Sequence, residues 1–188
     1  MRTLSILILC LCRLFILGVS AQESGQMTFS GQPGSAGKSV FVAGDTIFAQ
    51  ARFQAPLQRL PITRRVTISL KVFERVNGAE SFLDYYDVGL SGALMEATSL
   101  PLELVPEVEE CRSYRDAKLH FKTFGKRLDG PAAMCQILSR LSPGRHELVL
   151  RLEQDGVPLA SGDFVIQGDS FSRYAELEAR LKERYWPK

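Results

Sequence analysis

Over most of its length the chain alternates apolar and polar residues with a period of two, the pattern of strands that bury one face. The longest run is residues 65–74, where Val66, Ile68, Leu70 and Val72 alternate with Thr67, Ser69, Lys71 and Phe73. Asn77-Gly78 then supplies a turn that accepts positive φ at both positions, which predicts a hairpin returning through residues 81–88. A second hairpin is expected where His146, Leu148, Leu150 and Leu152 share a face, Asp155-Gly156 turns the chain, and residues 157–166 return past a bulge at Ser161-Gly162. Shorter strands are predicted at 39–42, at 47–53 and at 118–124. In the second of these, Ile47, Ala49, Ala51 and Phe53 point in and Phe48, Gln50 and Arg52 point out. Leu100, Leu102 and Leu104, set between Pro101 and Pro106, read as an edge strand, because proline cannot donate to a central ladder.

Two segments change period. Behind Asp129-Gly130, residues 131–141 begin with Pro131 and place Met134, Ile137, Leu138 and Leu141 on one helical face. Residues 170–185 stripe Tyr174, Leu177, Leu181 and Tyr185 along one side, with Glu176/Arg180 and Glu178/Lys182 as i, i+4 pairs on the other. A helix of about 16 residues is marginal alone in water, so this one is expected to pack on the domain. Residues 22–38, rich in Gly, Ser and Gln, read as a flexible lead-in with a short strand at Met27-Thr28-Phe29. The expected fold is mainly β: an antiparallel, Ig-like β-sandwich over residues 39–168, with one short interior helix and an amphipathic C-terminal helix over residues 169–188.

The N-terminus adds an address. Arg2, two apolar runs and Val19-Ser20-Ala21 match an export signal cleaved before Gln22, and Arg13 interrupts the apolar stretch as a retained anchor would not tolerate. The leader holds two of the 23 basic side chains, so residues 22–188 balance 21 bases against 21 acids. That balance argues against counterion-driven binding to nucleic acid or to an anionic membrane surface, and with the leader cleaved no stable membrane insertion is expected. Of four cysteines, Cys111 and Cys135 lie beyond the leader, and in an exported protein the pair reads as a disulfide, with two separate buried thiols as the alternative. Asn77, the single asparagine, is followed by Gly78-Ala79 and offers no glycosylation acceptor.

Two stretches, Gly44-Asp45-Thr46-Ile47-Phe48-Ala49 and the helix-to-hairpin run at 138–166, resemble exported β-sandwich proteins of Gram-negative bacteria that have no assigned function. The resemblance implies a source and a compartment, not an activity.

Chemistry is sparse. His120 and His146 are the two histidines, both within strand patterns, and Gly89-Leu90-Ser91-Gly92-Ala93 misses the spacing of a nucleophile elbow by one residue. Two Cys and two His match no zinc spacing, and Glu107, Glu109 and Glu110 read as a solvated loop, so neither a metal nor a cofactor is expected. The reading that follows is a non-catalytic interaction or structural module of the periplasm or cell surface, whose partner is another exported protein. Tyr85, Tyr86, Tyr174 and Trp186 are its candidate contacts. The alternative is a carbohydrate-binding or accessory domain that stacks sugar on Tyr85 or Tyr86 near Phe82, although adjacent residues of a strand face opposite ways. A hydrolase with spatially paired carboxylates ranks third.

Overall fold

The period-two runs become strands, and the two 3.6-period segments become helices, in the computed structural model, which describes residues 25–57, 66–121, 123–124 and 127–186. In chain order these are β1 (Gly25–Ser30), β2 (Val40–Val42), β3 (Ile47–Arg52), β4 (Val66–Val76), β5 (Ala79–Leu90), β6 (Ser99–Val105), β7 (Leu119–Phe121), β8 (Thr123–Phe124), β9 (Arg127–Leu128), α1 (Pro131–Leu138), β10 (Gly144–Gln154), β11 (Val157–Gly168) and α2 (Ser172–Tyr185). The expected leader lies outside the described residues, and none of the described helices is long and apolar enough to cross a membrane.

Both hairpins form as expected. Asn77 (φ 52°) and Asp155 (φ 50°) take the positive φ that their turns require. β8 pairs only with β9, and the other strands join one continuous mixed sheet, curled into a half-barrel, in the order β6-β3-β1-β11-β10-β4-β5-β7. The expectation that every pairing is antiparallel needs correcting at β11, which pairs in parallel with both β1 and β2. Gly25 and Gln26 lie against Ala160 and Ser161, whereas Val40, Phe41 and Val42 lie against Val165, Ile166 and Gln167. Between these contacts β1 swings away to pair with β3. The crossing is tight: a Cβ at Gly162 would sit 2.3 Å from the Met27 carbonyl oxygen. Phe29, Phe41 and Phe164 meet beneath it, with ring centroids 4.8 and 5.4 Å apart around Phe164.

The short strand expected at Met27-Thr28-Phe29 forms and extends over Gly25–Ser30, so this part of the expected flexible lead-in is built into the sheet. Met27 and Phe29 are buried, and β1 pairs with β3 along its whole length, so two inward side chains outweigh a Gly- and Gln-rich composition. The bulges also differ from expectation. The one in the second hairpin falls at Leu159, not Ser161-Gly162, and an unforeseen one at Leu83 shifts β5 against β4. The helix expected to reach Leu141 ends at Leu138, because the amides of Arg140 and Leu141 already bond three residues back instead of four.

α1 is buried on nearly every side and touches both β6 and β5, so it plugs the opening between the two ends of the curled sheet. α2 lies on α1 with Tyr174, Leu177 and Leu181 buried. Polar ties hold it: the Gly44 N–H donates to Tyr174 Oη at 2.9 Å, and Arg180 pairs with Glu109. The Tyr185 hydroxyl faces the carbonyls of Val108 and Cys111.

Candidate functional site

A cavity of about 690 Å³ lies on the outer face of the β1-β3-β6 patch. Its floor is set by strand register. Ser30, Phe48 and Glu103 form one row across the three strands, and Thr28, Gln50 and Pro101 form the next. Directly paired residues share a face, so all six point out of the sheet, and Arg52 and Ser99 extend the floor. A bulge at Leu104 turns both Leu104 and Val105 inward and leaves Glu103 on the outer face.

Two loops wall this floor. The segment 31–37 is fastened by Thr46 Oγ1 donating to the Gly31 carbonyl at 2.6 Å, by the Ser30 and Ser35 hydroxyls donating to the Gln32 carbonyl, and by Lys38 N–H on the Phe29 carbonyl. The opposite wall is hung from Glu103, whose Oε2 accepts the Arg112 N–H at 2.8 Å and the Ser113 N–H at 2.6 Å. Beyond it, Asp116 Oδ1 accepts the Lys118 N–H. The cleft therefore combines a half-buried ring, Phe48, with hydroxyl, amide, guanidinium and carboxylate groups on a rigid frame.

The residues singled out from sequence are scattered. Tyr86 and Tyr174 are 3% and 0% exposed, so neither is a contact residue; both point into the core. Burial holds the Tyr86 hydroxyl well above its usual pKa and pushes Tyr174 up to about 12 against the opposing pull of the Gly44 N–H. Tyr85 and Trp186 stay on the surface, 45% and 54% exposed. The Leu83 bulge sets Phe82, 53% exposed, opposite Phe73 and on the same face as Tyr85, which pairs with Lys71. Arg151 lies over the Phe73 ring at 4.7 Å, and the charges around this face are paired, Arg75 with Glu147, Arg151 with Glu80, and Lys71 with Glu153.

Cys111 and Cys135 are both buried free thiols, so the expected disulfide is not formed in the structure. The Cys111 thiol is directed to Glu103 Oε2 at 3.7 Å. Burial pushes both thiols up to about 12, with Glu103 adding to Cys111, and Glu178 and Cys111 adding to Cys135.

The histidines are engaged in structure. His146 Nδ1 meets Glu74 Oε1 at 2.6 Å and Nε2 meets the Ser142 carbonyl at 2.7 Å, which leaves no ring nitrogen for a substrate. His120 Nε2 lies 3.0 Å from Ser91 Oγ, a nucleophile-to-base distance, yet no carboxylate among the described residues orients the ring. Among the described residues no three His, Cys, Asp or Glu side chains cluster as metal ligands. Sequence reading missed the cleft because its residues come from β1, β3, β6 and two loops, although Phe48, Gln50 and Arg52 were already legible as outward positions. Compared with known proteins, the chain matches no family model and no curated relative.

Proposed function

We propose that this chain is an exported, non-catalytic binding module of the periplasm or cell surface, an Ig-like β-sandwich whose working surface is the cleft over β1, β3 and β6. The strand order supports the sandwich reading: β6, β3 and β1 make one half, β11, β10, β4 and β5 the other, and the first strand of the chain passes from one half to the other. The observation that carries the binding reading is the cleft itself, in which two hydrogen-bonded loops hold a mixed polar and apolar floor of ligand size. His146 has both ring nitrogens taken up, by Glu74 and by the Ser142 carbonyl, which supports binding over catalysis at that position. The exported address rests on the leader read from the sequence.

The test fills the cleft. Gln50→Trp places a large ring on the floor without touching the core side of β3. Immobilised parent should retain a component of periplasmic or cell-surface extract that the folded Gln50→Trp variant fails to retain. Equal retention by both would refute the cleft as the working surface. A second reading, contact with another exported protein through the β4-β5 face, is favoured by Phe82 and Tyr85 standing exposed together. Phe82→Ser would abolish retention under that reading and leave it intact under the first.

A further inference from the structure

We propose that the cleft over β1, β3 and β6 takes an uncharged oligosaccharide. The inference rests on that cleft being the working surface and names the chemistry of what it holds.

Charge comes first. Arg52 and Arg112 stand against Glu103 and Asp116, so the walls sum to zero. Both acids already accept backbone N–H groups from the loop that forms the wall. A phosphate, nucleotide or polyanion would meet no surplus of cationic donors, and a polycation no surplus of carboxylate. The volume, about 690 Å³, falls within the range of roughly 300–1,000 Å³ typical of small-molecule sites.

Shape and polarity then narrow the class. Phe48 lies mid-floor, half-buried, paired with Ser30 on one side and with Glu103 on the other. An aromatic face carries partial negative charge and attracts the C–H face of a pyranose. Around the ring, the Gln50 amide both donates and accepts, the Ser30 and Thr28 hydroxyls do likewise, and the Arg52 guanidinium donates. Sugar hydroxyls, each donor and acceptor at once, match that mixture, and Pro101 beside Gln50 offers a second apolar plate.

An extended peptide fits less well. Peptides gain most of their affinity on a sheet from main-chain bonds to an open edge. The edge here is β6, where Pro101 has no N–H to give and the Glu103 end is closed by the Arg112-Ser113 backbone. What remains open is a sheet face with side chains only.

The experiment records amide chemical shifts of the full protein on titration with maltohexaose, cellohexaose and tri-N-acetylchitotriose. Hyaluronan oligomers and an unrelated extended decapeptide serve as acidic and peptide probes. At least one neutral sugar should shift the amides of Thr28, Phe48, Gln50 and Arg52, and Phe48→Ala should weaken that binding about tenfold or more. Gln50→Ala, a milder change at the next floor position, should weaken it too and covers the case in which Phe48→Ala fails to fold. If no neutral sugar shifts the cleft, or if both folded variants keep the parent affinity, the carbohydrate assignment is wrong. Shifts in the cleft with the peptide or the hyaluronan oligomers alone would overturn the assignment while leaving the cleft as a binding surface. If Gln50→Trp also retains every extract component, the broader reading falls as well.

Discussion

Replacing Leu181 by alanine tests whether α2 is part of the folded core. Leu181 is fully buried beside α1, and the change removes three carbon atoms from that contact. At about 0.8 kcal/mol per buried methylene-sized group the transfer loss is ~2.4 kcal/mol, and the cavity left behind raises it to about 3 kcal/mol, within the usual ~2–5 kcal/mol of buried Leu-to-Ala changes. For a chain of this size each kcal/mol lowers Tm by about 2–4 °C, so a fall of about 6–12 °C is expected. Differential scanning calorimetry on parent and Leu181→Ala would measure it, with Glu183→Ala, an exposed position on the same helix, expected to stay within about 0.5 kcal/mol of the parent. Should Leu181→Ala melt with the parent, the packing of α2 on α1 contributes nothing to stability and the account of the C-terminal helix is wrong.

Other consequences can be checked as directly. Tyr174→Phe keeps the ring but deprives the Gly44 N–H of its acceptor, and urea unfolding should register a loss of about 1 kcal/mol; an unchanged midpoint would mean that water replaces the hydroxyl at no cost. Cys111, Cys135, Tyr86, Tyr114 and Tyr174 all have pKa values raised above their ordinary ones, chiefly by burial. The folded state of the reduced protein therefore favours their neutral forms. That contribution is complete below the unfolded thiol value of 9 and is lost as pH climbs towards about 12, so urea midpoints should decline steadily from pH 9 upwards, and a flat profile to pH 11.5 would contradict it. Exposure to a disulfide-donating oxidant, as in an exported setting, should join Cys111 and Cys135 with transfer of two electrons and two protons to the donor. Non-reducing peptide mapping that finds both thiols free would count against the pairing.

How much of this was legible in the sequence depends on the range of the interaction. Local signals read well: Asn77-Gly78 and Asp155-Gly156 turn the chain as their φ preferences demand, and Pro131 starts α1. The inward set Ile47, Ala49 and Ala51 is buried as its alternation implies. Features that depend on distant chain segments did not read. Nothing in β1 or β2 announces that β11 will accept both as short parallel partners, because period two is the same for parallel and antiparallel strands. The Leu83 bulge reverses the parity of everything before it, which is why Phe82 shares a face with Tyr85 and not with Tyr86. Tyr174 read both as part of the stripe that packs the last helix on the domain and as a contact candidate; it is buried as the first reading expects, and only the β2-β3 turn carrying Gly44 reveals what its hydroxyl touches. The cleft needed all three of its strands in register before Phe48 had neighbours.

The position of β11 bears on the order in which the molecule can assemble. Among the described residues it is the sole bridge in the main sheet between β6-β3-β1 on one side and β10-β4-β5-β7 on the other, and its pairing of Gly25 with Ala160 spans 135 residues of chain. A ribosome or a translocation channel that delivers the chain from its N-terminus releases this strand after all the strands it joins. Until residues 157–168 emerge, a three-stranded and a four-stranded patch have no strand pairing to join them among the described residues, and the cost of closing so long a loop defers their union. A nascent chain halted before Val157 should accordingly remain protease-sensitive throughout, whereas one that includes Gly168 should acquire protection in both halves together.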